Sequence, residues 1–94
     1  MKSTLFLCGA GNAEGVRLAL RINEKQKNWE KIVICDDDLT KKGKQILGIE
    51  IIGPFEILRN ADPETMEVVN LIARTTVKRH AAYEKIKSYG IPFV

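Results

Sequence analysis

The chain has 94 residues, 45% of them hydrophobic and 29% charged, with a formal net charge of +3. That is ordinary globular composition with length for one small domain and no second core. It excludes a membrane segment, because no apolar run approaches about 20 residues, and a nucleic-acid-binding stripe, because the lysines are scattered and no aromatic residues are interleaved with them.

Met1-Lys2-Ser3 leads straight into an apolar run, so no signal peptide is expected. Thr4 to Cys8 is apolar without alternation, the pattern of a strand covered on both faces of a parallel sheet. Gly9-Ala10-Gly11-Asn12-Ala13-Glu14-Gly15 breaks that strand and opens a helix. Its inner stripe is expected at Val16, Ala19, Leu20 and Asn23, widened by Leu18 and Ile22. Basic residues close the helix near Lys27, and Trp29 is expected to cover the lower edge of the sheet.

Lys31 to Cys35 is a second apolar strand, ending in Asp36-Asp37-Asp38. Strand, helix and strand of this length make one right-handed βαβ unit. A polar, lysine-rich connection runs from Leu39 to Gln45, and Glu50 to Ile52 is expected as a short third strand at an edge. Pro54 suits the first position of a brief helical turn that Asn60-Ala61-Asp62-Pro63 stops. Glu67 to Ala73 is the fourth strand. Thr75 or Thr76 caps a last helix running to about Tyr89, with Val77, Ala81, Ile86 and Tyr89 inward and Gly90 as its stop. Ile91 to Val94 is the fifth strand. The expected fold is α/β, an open parallel sheet of about five strands in the order 3-2-1-4-5 with helices on both faces. The chain ends on an apolar strand with no polar tail. That predicts a piece of a longer protein or an edge covered by a partner.

The chemistry concentrates at the carboxyl ends of the strands. Gly9 permits a tight turn and Gly11 lets a diphosphate approach the backbone, while the helix start supplies N–H donors and a positive pole. The spacing G-x-G-x-x-x-G is one residue off the dinucleotide fingerprint, and the strand before it and helix after it are what favour a phosphate site over a structural turn. Glu14 either faces solvent or weakens phosphate binding. Asp36 comes about 20 residues past the glycines, where an acid accepts hydrogen bonds from ribose hydroxyls and repels a 2′-phosphate. Asp37 shares that reading, whereas Asp38 reads as part of a polar loop. Arg74 follows the fourth strand, either pairing with phosphate or solvated. Asn70 reads as a structural amide and His80, the lone histidine, as a surface residue without triad or zinc partners. Cys8 and Cys35 have no metal-ligand spacing and read as small buried residues in a cytoplasmic, reducing setting. No catalytic group and no metal site are expected.

Four stretches together resemble a known family: Leu5 to Gly11 (LFLCGAG), Ile34 to Asp38 (ICDDD), Lys42 to Gly53 (KGKQILGIEIIG), and Thr76 to Val94 with its Lys-Arg-X-X-X-Tyr-Glu-Lys-X-Lys-X-X-Gly pattern. The chain is similar to the N-terminal domain of bacterial sugar O-acyltransferases, the family of sialic acid O-acetyltransferases and UDP-amino-sugar N-acetyltransferases. The resemblance implies a small Rossmann-like unit, residues 1–94, that binds a UDP-sugar acceptor. It also implies a separate β-helix of hexapeptide repeats that binds acetyl-CoA, supplies the catalytic histidine and forms a trimer. Carried over, Gly9 and Gly11 would face the diphosphate, and Asp36 and Asp37 would meet the uridine ribose and base; Ala10 and Asn12 of the same turn and Arg74 complete the candidate ligand-binding set. The family commonly continues its Gly-Ala-Gly with Gly-His-Gly, where this chain has Asn12, Ala13 and Glu14. A similar series occurs in membrane-linked polysaccharide-biosynthesis proteins related to nucleotide-sugar dehydratases. Both resemblances imply bacterial glycan synthesis. The competing readings are an NAD-linked enzyme or redox sensor domain, and a structural domain that only packs on a partner.

Overall fold

The computed structural model describes residues 2–72 and 76–94. Its elements are β1 (Lys2–Cys8), α1 (Ala13–Gln26), β2 (Trp29–Cys35), β3 (Gln45–Ile46), β4 (Ile49–Gly53), β5 (Met66–Asn70) and α2 (Thr76–Lys87). Two 3-10 helices, Leu39–Lys41 and Phe55–Asn60, lie between them. The sheet runs β3-β4-β2-β1-β5. β1 pairs in parallel with both β2 and β5, and β2 with β4.

The expected succession 50–52, 31–35, 4–8, 67–73 is therefore present as β4, β2, β1 and β5. Two things differ. The sheet is mixed, because β3 folds back antiparallel on β4 and takes the edge expected for β4. Leu47 and Gly48 turn that hairpin, both with positive φ (52° and 83°), the geometry of a type I′ turn whose twist matches the strands. The expected fifth strand, 91–94, contributes a single parallel bridge between Val68 and Phe93.

Alternation along the strands separates two cores, as a pleated strand buried on both faces requires. Leu5, Leu7, Ile32, Ile34 and Ile51 face Val16 and Ala19 of α1. Phe6, Cys8, Val33, Cys35 and Val68 face Phe55, Leu58, Ala82, Ile86 and Ile91. α1 thus covers one face, and α2 with the Phe55–Asn60 helix covers the other.

The expected helix faces need correction at three residues. Leu18, Val77 and Ala81 are exposed rather than inward. In α2 the inner positions are Ala82 and Ile86, with Tyr89 packed beside them. Ile86 and Tyr89 lie inward as expected, and Ala82, four residues before Ile86, takes the inner position expected of Ala81 because i and i+4 share a helix face. Asn23 does lie on the inner side of α1, where it works as a clamp. Its amide donates to the Trp29 carbonyl (3.0 Å) and accepts from the Trp29 N–H (2.9 Å), joining the end of α1 to the start of β2. The Trp29 indole, buried at the base of the sheet, donates to Glu67 at 2.8 Å.

β5 stops at Asn70, leaving Leu71 and Ile72 outside the strand; the expected end at Ala73 and the expected cap Thr75 lie outside the described residues. The Asn70 side chain accepts from the Ile72 N–H (3.0 Å) and donates to the Arg79 carbonyl (3.1 Å), tying the end of the strand to α2, while the Leu71 N–H still donates to the Cys8 carbonyl (2.8 Å). Pro54 is the residue before the first helical position rather than that position itself.

Candidate functional site

Three strand ends meet at one place. β1 lies between β2 and β5, and the chains leaving these strands diverge to opposite faces. In an open α/β sheet this is the crevice in which ligands bind. A cleft of about 520 Å³ opens there, lined by Gly9, Gly11, Asn12, Asp36, Asp38, Lys41, Leu71, Ile72 and Lys78. That volume is within the usual range for small-molecule sites.

The glycine turn is built by close approach. Gly9 has φ +116°, and a Cβ placed on it would sit 2.9 Å from Ile72 Cγ1 and 3.3 Å from the Ile72 nitrogen. Its N–H donates to the Cys35 carbonyl at 2.9 Å, tying the turn to the end of β2. Gly15 is equally confined, since a Cβ there would lie 2.8 Å from Leu71 Cδ2. Asn12 caps α1. Its side-chain oxygen accepts from the Gly15 N–H (3.0 Å), and its amide donates to the Leu71 carbonyl (3.4 Å), bridging to the segment after β5. The cap takes one donor of the helix start, and the N–H groups of the remaining first-turn residues have no partner within the helix by its geometry. Glu14 is exposed, which answers the alternative left open by its position.

The three acids after β2 part ways. Asp36 turns inward over the glycine loop: Oδ2 accepts from the Ala10 N–H at 2.7 Å, and Oδ1 accepts from the Asp38 N–H at 2.8 Å. It thereby ties the end of β2 to the glycine loop through the Ala10 amide. Lys41 approaches the same carboxylate, its Nζ 3.8 Å from Oδ2. Asp37 points to the opposite face of the sheet. One oxygen accepts from the Phe55 N–H (2.8 Å) and the other from the Lys85 ammonium. Lys85 also lies 5.8 Å from the centre of the Phe55 ring. The hydrogen bond to Asp37 holds the Lys85 ammonium above its ordinary pKa. Asp37 therefore joins β2, the Phe55–Asn60 helix and α2, and both its oxygens are engaged there. Asp38 caps the Leu39–Lys41 turn, accepting from the Thr40 hydroxyl (2.6 Å) and N–H (3.1 Å), and these bonds lower its pKa.

Of the residues singled out from the sequence, Gly9, Gly11, Asn12 and Asp36 line one cleft. Ala10 is buried and reaches the site through its N–H. Arg74 lies outside the described residues. Lys41, Lys78 and the Leu71–Ile72 floor were not singled out. Their one signal is position: Lys41 in the connection after the second expected strand, Lys78 at a helix start, and Leu71 and Ile72 at the carboxyl end of the expected fourth strand. Cys8 and Cys35 are register partners, fully buried beneath the turn. The hydrogen bond with Cys35 and then burial push the Cys8 thiol far above its ordinary range. His80 is exposed, 3.9 Å from Glu84 on the same helix. Among the described residues, no group of three or more His, Cys, Asp or Glu is arranged to hold a metal ion, and no helix is long and apolar enough to cross a membrane.

No protein-family model matches the sequence, and no curated protein matches it. Two solved structures are similar in fold. One is the acetyltransferase domain of PglB from Neisseria gonorrhoeae FA1090 in complex with acetyl coenzyme A. The match has 22% identity and a TM-score of 0.71 and covers 97% of this chain and 42% of that one. The other is UDP-D-quinovosamine 4-dehydrogenase from Vibrio fischeri, with 23% identity and a TM-score of 0.73, covering 99% of this chain and 76% of that one. The chain thus spans less than half of the first neighbour's length. At these identities the likeness is one of fold: a small Rossmann-like α/β domain.

Proposed function

We propose that this chain is a nucleotide-sugar-binding domain that holds a UDP-sugar and presents the sugar to an acyltransferase centre elsewhere in its protein. The observation that carries the reading is the convergence, in one cleft, of the Gly9–Asn12 turn, the start of α1 and the Asp36 carboxylate. The close approach of Gly9 to Ile72 keeps backbone where a side chain would otherwise stand. Helix-start N–H groups and the positive pole of α1 suit a diphosphate. Asp36 stands beside the ribose position, and its second lone pairs remain able to accept from hydroxyls.

Two fold neighbours support the sugar-nucleotide direction. One is named as a UDP-sugar dehydrogenase, the other as an acetyltransferase domain holding acetyl coenzyme A. In this reading the chain binds and positions, which converts a bimolecular acyl transfer into an oriented one. Acetyl-CoA, the general base and the trimer contact belong to a second unit such as the resemblance implies. Asp37 departs from the role carried over to it, because its carboxylate holds Phe55 and Lys85 on the other face.

Isothermal titration of the chain with UDP, UDP-N-acetylglucosamine and NAD tests the proposal. Saturable binding of UDP and the UDP-sugar, weakened by Asp36→Ala, is the expected result. Preference for NAD favours the dehydrogenase-type reading instead. Absence of heat with all three overturns ligand binding and leaves the domain a packing unit.

A further inference from the structure

Two cations, Lys41 and Lys78, line the cleft with the glycine turn. Lys41 ends the Leu39–Lys41 turn that follows β2, and Lys78 stands in the first turn of α2, which follows β5. Since β2 and β5 flank β1, these lysines rise on opposite sides of the glycine turn. Lys41 is half-buried, unlike the exposed Lys42 and Lys44 beside it. Its Nζ is 3.8 Å from Asp36, beyond hydrogen-bond distance, while both Asp36 oxygens already accept backbone N–H groups. The ammonium is thus ion-paired with the carboxylate without a hydrogen bond to it.

Lys78 is placed against the usual electrostatic preference. A helix start favours acids, yet the first turn of α2 holds no acid and carries Lys78 and Arg79. An anion seated at that turn suits both the helix pole and these cations. Among the described residues, the charged side chains lining the cleft are Asp36, Asp38, Lys41 and Lys78, so they balance to zero, and loss of either lysine leaves that set net negative.

We infer that Lys41 and Lys78 form a two-sided clamp for a diphosphate, which makes the cleft selective for a nucleoside diphosphate over a nucleoside or an inorganic monophosphate. The clamp rests on the nucleotide reading for its nucleoside half only. The diphosphate lies over the Gly9–Asn12 turn, one phosphoryl group toward each ammonium, and Asp36 between the lysines keeps the loop amide oriented.

The test is titration of the wild-type chain, Lys41→Met, Lys78→Met and Lys78→Arg with UDP, uridine and inorganic pyrophosphate, at low and high salt. Each methionine variant is expected to lose about ten-fold or more in UDP affinity, the scale of one charge-assisted hydrogen bond. Uridine binding stays unchanged, and Lys78→Arg keeps most UDP affinity. Wild-type UDP affinity falls with salt, less steeply in the methionine variants. That salt slope in the wild type also reads the clamp without any substitution. UDP binding within about two-fold of wild type in both methionine variants overturns the clamp and leaves the nucleotide reading standing. Lysine-dependent pyrophosphate binding without UDP binding supports the clamp and overturns the nucleotide reading. Binding of neither overturns both.

Discussion

Gly9→Ala tests the geometry on which the site depends. Two costs are legible in the structure. At φ +116° the alanine side chain is held in a region that L residues rarely adopt, at about 1–3 kcal/mol. Its Cβ would also lie 2.9 Å from Ile72 Cγ1 and 3.3 Å from the Ile72 nitrogen, well inside the optimal separation of about 3.5–4.0 Å. Relieving that overlap adds about 1–2 kcal/mol, because the backbone nitrogen cannot swing away as a side-chain tip can. The sum is about 3 kcal/mol, which for a domain of this size lowers Tm by about 15 °C. Gly90→Ala is the control. Gly90 also has positive φ (+78°) but nothing lies within 4 Å of the added carbon, so only the conformational cost of about 1 kcal/mol applies. Urea denaturation and thermal melts followed by circular dichroism measure both. In the Ile72→Ala background the Gly9→Ala cost should shrink by about 1 kcal/mol, a coupling that a double-mutant cycle isolates. If Gly9→Ala costs no more than Gly90→Ala, the glycine turn does not pack against Ile72 and the cleft is not shaped as described.

Two further predictions concern titration and thiol access. Lys85 has a raised folded-state pKa, so its contribution is fully present below the ordinary lysine value of 10.5 and is lost as pH rises through the folded value. Asp38 has a lowered one, so its contribution is present above the ordinary value of 3.8 and is lost as pH falls through the folded value. Melts across pH should show both losses, with Lys85→Met removing the alkaline one and Thr40→Val the larger part of the acidic one. An alkaline profile unchanged by Lys85→Met would contradict the Asp37 contact. The buried thiols of Cys8 and Cys35 should react with a disulfide reagent only as fast as the chain unfolds. Fast labelling of the native protein, at a rate insensitive to mild denaturant, would contradict their burial.

The features that could be read along the chain are those produced by near neighbours. The apolar runs 4–8 and 31–35 are buried on both faces because each contains enough hydrophobic surface for two cores. Asn12 caps α1 because its acceptor is three residues from the donor it satisfies. Gly90 follows α2 with positive φ, as a helix stop does. The β3–β4 hairpin was harder to see. Gln45–Ile46 pairs through main-chain groups, which any side chain allows, and its turn places Leu47 at positive φ, where glycine or asparagine would have announced it.

Asp36-Asp37-Asp38 shows most clearly where local reading ends. The sequence by itself determined that three acids stand at the end of a buried strand, close to a glycine turn on a neighbouring strand. It determined the α/β class and the position of the crevice too, because both follow from element order and apolar patterning. Only the tertiary structure decided what each acid does. Asp36 reaches Ala10, 26 residues upstream, while Asp37 reaches Phe55 and Lys85, 18 and 48 residues downstream. Successive side chains leave a strand end in different directions, and the groups they meet are brought there by packing of distant segments. The same holds for Lys41 and Lys78. Nothing in their local sequence separates them from the other lysines, and only the placement of β2 and β5 on either side of β1 sets them across one cleft.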